Sequence, residues 1–112
     1  MRFSTMTASA VVLSGFVATA THAADPAAKC AAGKIRESAK YASCRLKAEA
    51  KGVLSGTLPD FARCDASFDA KFSAVEGKVG PDVCPTFGDS LRIGGQVVTF
   101  ASLTAWRLEE CL

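Results

Sequence analysis

Five cysteines, Cys30, Cys44, Cys64, Cys84 and Cys111, are the side chains with the most chemistry to offer in this 112-residue sequence. Thiols can ligate a metal, act as nucleophiles or close disulfides, and the cellular compartment decides among these. The N-terminus speaks to the compartment. Arg2 gives a short basic start, Ala8–Ala20 is apolar and uncharged, and Thr21-His22-Ala23 offers small residues at the two positions a signal peptidase reads. Residues 1–23 therefore read as a cleaved secretory signal peptide, with an apolar run short of the roughly 20 residues that span a bilayer. The mature chain, residues 24–112, is expected to be one domain without a transmembrane segment, secreted or periplasmic, where disulfides persist. Cutting 23 residues from 112 leaves 89, and losing Arg2 leaves 12 of 13 basic residues against 11 acidic ones. The single histidine, His22, goes with the leader.

That loss closes off most hydrolytic and metal chemistry. Gly88-Asp89-Ser90-Leu91 spells the nucleophile motif of the GDSL hydrolases, which need the serine at the end of a buried strand, an oxyanion hole and a histidine. The motif here follows Cys84-Pro85-Thr86-Phe87, which is no strand, so the string reads as fortuitous, with Thr86 or Asp89 capping a helix. Neither a CxxC pair nor a cysteine spacing of zinc-finger type occurs, so no metal and no cofactor is expected. Asp65, Asp69 and Glu76 share a helix face and read as a solvated acidic face opposite a basic helix. No catalytic residue is assigned, and the chain is expected not to be an enzyme.

The positioning elements are helical. Asp25-Pro26 supplies an N-cap and a proline at the first helical position, and Ala, Lys, Glu and Arg run on to Lys51, where Gly52 is the expected stop. Placed 100° apart, these residues sort into three faces. Cys30, Tyr41, Cys44 and Ala48 form one, and Ile35, Ala39, Ala42, Leu46 and Ala50 a second. Lys29, Arg36, Lys40, Lys47 and Lys51 form a third, wholly basic. After a Gly52–Gly56 connection, Thr57-Leu58-Pro59-Asp60 reads as a capping box. The second helix carries the stripe Phe61, Cys64, Phe68, Phe72, Val75 and Val79 and ends at Gly80-Pro81. Ala62, Ala66, Ala70 and Ala74 make a ladder of small residues on its far side, either a seat for another helix or a solvated face. Residues 90–110 read as a third helix with Ile93, Val97, Phe100, Ala101, Thr104, Leu108 and Cys111 on one face. Against it stands Gly94-Gly95, which costs a helix about 1 kcal/mol per glycine and which also suits a hairpin turn between short strands.

Helical register constrains the cysteines. Cys30 and Cys44 lie 14 residues apart on one helix, about 21 Å, and a disulfide needs Cα atoms within about 7 Å. Folding the first two helices antiparallel brings Cys44 to Cys64 and Cys30 to Cys84, a nested pair of staples. Only 20 of the mature residues are Leu, Ile, Val or Phe, so a core this thin depends on such staples. Cys111 is left over, and an odd cysteine in an exported chain points to an intermolecular bridge, here a disulfide-linked homodimer, or to a reactive thiol.

The basic stripe could face anionic lipid, polysaccharide or nucleic acid, but the net charge near +1 and the absence of aromatic residues beside it favour plain solvation, and no nucleic acid partner is expected. The order Lys40-Tyr-Ala-Ser-Cys44, Lys47-Ala-Glu-Ala-Lys51-Gly52, Asp60-Phe-Ala-Arg-Cys64, Lys71-Phe72, Glu76-Gly-Lys78 and Cys84-Pro-Thr-Phe-Gly88-Asp89 resembles an uncharacterised four-cysteine helical module of exported bacterial proteins. That module often sits beside adhesion-like or repeat domains and has no assigned activity. The resemblance covers about residues 28–93 and implies an extracytoplasmic α-hairpin with a third helix. Gly94-Gly95 and Cys111 fall outside the shared pattern. The sequence thus leads to an all-α fold, a small antiparallel helical hairpin stapled by two disulfides with a third helix. The expected role is a secreted, non-catalytic structural or interaction module with an unknown protein or surface partner. The alternative is a defence peptide or protease inhibitor acting through the basic helix or an exposed Val53-Leu54-Ser55 loop.

Overall fold

A computed structural model describes residues 25–111; the expected signal peptide, His22 included, lies outside them. The described residues form three helices, α1 (Pro26–Ser55), α2 (Ala62–Val79) and α3 (Ser90–Glu109). The Asp25 side chain accepts a hydrogen bond from the Ala27 amide at 3.2 Å, and Pro26 occupies the first turn, as an N-cap followed by proline should. α1 does not stop at Gly52. It continues one turn to Ser55 and is closed by Gly56 in the left-handed region, φ 65°. The Thr57 amide donates to Gly52 O and the Gly56 amide to Val53 O, the paired bonds that satisfy the last carbonyls of a helix ending on glycine. Gly52 serves a different purpose: it is buried, and a Cβ there would lie 2.8 Å from Thr57 O. The returning chain crosses over it. Val53-Leu54-Ser55, expected as an exposed loop, is consequently the last turn of α1.

The expected capping box also gives way. Ser55 Oγ and Thr57 Oγ1 pair at 2.7 Å, and α2 begins later, with Asp60 Oδ1 accepting from the Ala62 amide at 3.0 Å. α2 ends where Gly80-Pro81 places its end, the Gly80 amide donating to Glu76 O. The two staples form as the register required. Cys30–Cys84 has a Cα–Cα distance of 5.5 Å and Cys44–Cys64 one of 5.7 Å, with sequence separations of 54 and 20. Loop-closure entropy assigns them about 4 and about 3 kcal/mol respectively.

Between the helices lies a small aromatic core. Phe72 is fully buried, Phe68 stacks on Tyr41 at 4.5 Å between ring centroids, and Phe68 meets Phe72 at 5.0 Å. α3 packs mainly on α1. Ile93, Val97 and Val98 close over the aromatic core, while Gly94, Ala101 and Ala105 are buried. The buried face of α3 is therefore rotated from the one expected, and Phe100, Leu108 and Cys111 are exposed. The alanine ladder of α2, Ala62, Ala66, Ala70 and Ala74, faces solvent and does not seat α3.

The glycine pair that argued against α3 resolves into two unlike positions. At Gly94 a Cβ would sit 3.0 Å from Phe68 Cε1, whereas nothing lies within 4 Å of Gly95. Gly94 lets α3 approach the Phe68 ring, and Gly95 only weakens the helix. Gly94→Val is expected to destabilise the protein by about 1–3 kcal/mol through overpacking, and Gly95→Ala to stabilise it by about 0.5–1 kcal/mol. Thermal unfolding followed by circular dichroism would show the two variants moving in opposite directions.

Candidate functional site

Two cations of α1 that fell outside the basic stripe, Lys34 and Arg45, are buried on the cysteine side of the helix. They take up two of the three acids of α2, Asp65 and Glu76. Arg45 Nη1 donates to Asp65 Oδ1 at 2.8 Å and lies near the Tyr41 hydroxyl, which itself donates to Asp65 at 2.6 Å. The Arg45 guanidinium also lies 3.7 Å from the Phe61 ring centroid, a cation–π contact. Burial and the Asp65 hydrogen bond push the Tyr41 hydroxyl above its ordinary pKa.

Lys34 has the denser surroundings. Its Nζ donates to Thr86 O at 2.9 Å, to Thr86 Oγ1 at 2.8 Å and to Asp89 Oδ1 at 2.5 Å. Those bonds use all three ammonium protons, so Glu76 Oε1, 2.9 Å away, is held as a charge partner without a hydrogen bond of its own. Glu76 Oε2 accepts from the Gly88 amide at 3.1 Å, and Thr86 Oγ1 donates to Asp89 Oδ2 at 2.8 Å. Arg92 reaches Asp89 Oδ2 at 3.2 Å and balances the second carboxylate, while the Phe72 ring lies 4.8 Å from Nζ. Thr86 and Asp89, read from the sequence as helix caps, are thus turned to Lys34, and Asp89, although it stands at the N-cap position of α3, makes no side-chain capping bond to a backbone amide there. The expected solvated acidic face is corrected too: Glu76 is buried and Asp65 is paired, and only Asp69 is left as an exposed acid. Ser90 is simply the first residue of α3, preceded by turns and bends.

The stripe residues Lys29, Arg36, Lys40, Lys47 and Lys51 are all exposed, and of these only Lys40 forms an ion pair among the described residues, with Glu37 at 2.8 Å. The structure adds a second helix to them. A groove of about 400 Å³ between α1 and α2 is lined by Lys29, Arg36 and Lys40 on one wall and Lys78 on the other, over Gly33, Val75 and Val79. Lys71 and Lys78, one heptad apart, carried this information in the sequence, but a reading of one helix at a time does not join them to α1. A second groove of about 390 Å³ lies between the C-terminal ends of α1 and α3. It is apolar, lined by Leu46, Ala50, Val53, Leu54, Ala105 and Leu108, with Glu49 and Glu109 at its edge. Cys111, an exposed free thiol, follows one helical turn beyond Leu108. Among the described residues no helix is long and apolar enough to cross a membrane.

No protein-family model, curated protein or solved structure matches the chain. The chemistry of its surface has to be read from its own geometry.

The buried cluster has a pH signature. Burial would raise the Asp89 pKa, but hydrogen bonds from Lys34 and Thr86 outweigh it and hold the carboxyl at about 2, against 3.8 ordinarily. Burial would lower the Lys34 pKa, but the hydrogen bond to Asp89 and the adjacent Glu76 carboxylate outweigh it and raise it above 10.5. With the folded-state pKa of Asp89 depressed, its stabilisation is complete above the unfolded value and disappears as pH falls from about 4 towards 2, a loss of about 2 kcal/mol. Urea unfolding across that range should show the loss in the native chain and not in Asp89→Asn. Lys34→Met, which strands two buried carboxylates, is expected to cost about 3–5 kcal/mol at neutral pH.

Proposed function

We propose that this chain is an extracytoplasmic, non-catalytic interaction module that joins to a second copy of itself through Cys111. The observation that carries the reading is the open apolar groove between α1 and α3 with a free thiol one turn past its edge. Leu54 and Leu108 are 90% and 67% exposed, and both line the groove. An exposed apolar groove of this kind marks interaction sites. A Cys111–Cys111 bond would set two α3 ends against each other in an isologous, two-fold arrangement, each copy bringing Leu108 towards its partner's groove.

The extracytoplasmic assignment is supported by the expected leader over residues 1–23, by the two disulfides, which persist in oxidising compartments, and by the resemblance to exported helical modules. A non-catalytic role is favoured by what occupies the reactive side chains: four cysteines are spent on staples, and Lys34, Glu76 and Asp89 on one another.

Non-reducing electrophoresis and light scattering of the oxidised chain test this directly. A dimer that becomes monomeric on reduction and in Cys111→Ser is expected. Leu108→Glu should slow formation of the disulfide-linked dimer about tenfold, the effect of removing one apolar side chain that association buries. A native chain that remains monomeric under oxidising conditions would remove the proposal.

A further inference from the structure

A net charge near zero conceals how the charges are distributed. Grooves follow one another along the α1/α2 seam: the wide one at Lys29 and Lys78, a narrow one at Lys40 and Lys71, and a third at Lys51 and Arg63. Together they are lined by Lys29, Arg36, Lys40 and Lys51 from α1 and by Arg63, Lys71 and Lys78 from α2, with Glu37 and Asp60 as the acids. Lys47 shares the register of Lys40 and Lys51, seven residues from one and four from the other. Among the described residues, only Lys40 of this set is in an ion pair. Two of the acids of α2, Asp65 and Glu76, are held by Arg45 and Lys34 and do not pair with the seam. The result is a trough of uncompensated cations about 33 Å long at 1.5 Å per residue from Lys29 to Lys51.

We infer that this trough binds a linear acidic polysaccharide, a glycan bearing regularly spaced sulfate or carboxylate groups. The inference rests on the reading of the chain as an interaction module and supplies the chemistry of one partner. Length and charge fit a linear polyanion, for which aligned cations raise local concentration and on-rate. Two other polyanions suit the surface poorly. Single-stranded nucleic acid requires exposed aromatic faces for base stacking, and the aromatic residues beneath the seam, Tyr41 and Phe68, are buried against each other. A lipid surface requires large apolar side chains beside the cations to insert among the acyl chains. The trough has only Leu58, at one end.

The test is binding of a heparin oligosaccharide and an alginate oligosaccharide to the full chain and to Cys111→Ser, by titration calorimetry at two salt concentrations. Binding is expected to both glycans, to weaken at least about tenfold between about 50 and about 200 mM salt, and to fall at least about tenfold further in Lys71→Glu/Lys78→Glu, in keeping with electrostatic recognition by several charges. Charge reversal on α3, Arg107→Glu, should change the affinity by less than about twofold, because that side chain lies away from the seam. Equal losses in the two variants would overturn the inference, as would a native fold that binds neither glycan. Tighter binding of a thymidine oligonucleotide or of phosphatidylglycerol vesicles would overturn the polysaccharide assignment. Circular dichroism of each variant separates lost binding from lost fold. Because Cys111→Ser is monomeric under the dimer proposal, glycan binding by that variant stands or falls independently of dimerisation.

Discussion

Lys34 Nζ is the point at which the separate parts of this small fold meet. Its ammonium touches the Thr86 carbonyl and hydroxyl, Asp89 and Glu76, and so ties α1 to α2, to the turn after Cys84 and to the start of α3. A lone buried charge is among the most unfavourable groups a protein can hold. With all three protons donated and two carboxylates nearby, the same charge becomes a specification: only one arrangement of the four segments satisfies it. The Cys30–Cys84 bond lies one helical turn away on α1, and covalent and ionic constraints reinforce each other there. The other end of the hairpin repeats the pattern, with Arg45 and Asp65 each next in sequence to a cysteine of the Cys44–Cys64 bond.

Much of this architecture was legible in the sequence because helical geometry leaves few choices. The stripe of α2 and the distance between Cys30 and Cys44 follow from a 100° step and a 1.5 Å rise, and the caps at Asp25 and Gly80 from the residue types that suit helix ends. What escaped was decided by tertiary context. Lys34 and Arg45 lie in the same angular sector as Cys30 and Tyr41, so the register placed them inside, but charged residues are seldom interior. Gly52 and Gly94 were read as helix breakers, whereas each is a point of close approach, to Thr57 O and to the Phe68 ring. Such contacts have no local sequence signal, because they depend on which segment arrives from elsewhere in the chain.

α1 packs on both other helices, and its three faces have different surroundings. One face carries the staples and the buried cations. A second meets α3 and ends in the apolar groove at Val53 and Leu54. The third is the basic wall of the α1/α2 seam. Charge segregation follows from this division, since the buried cations take up Asp65 and Glu76 of α2 and leave most of the cations along the seam without partners among the described residues. Net charge, which averages over the whole chain, was therefore a poor guide to the surface.

The nesting of the two bridges has a consequence for how the chain reaches its oxidised state. Because the Cys44–Cys64 loop lies wholly inside the Cys30–Cys84 loop, neither bond threads the other, and either can close first. Closing the inner bond short-circuits about 20 of the 54 residues that the outer bond must bridge. Since closure entropy grows only as the logarithm of loop length, that shortcut lowers the outer closure by less than about 0.5 kcal/mol. Closure entropy thus favours the inner bond as the first to form by only about 1 kcal/mol, and the outer bond can follow it or precede it.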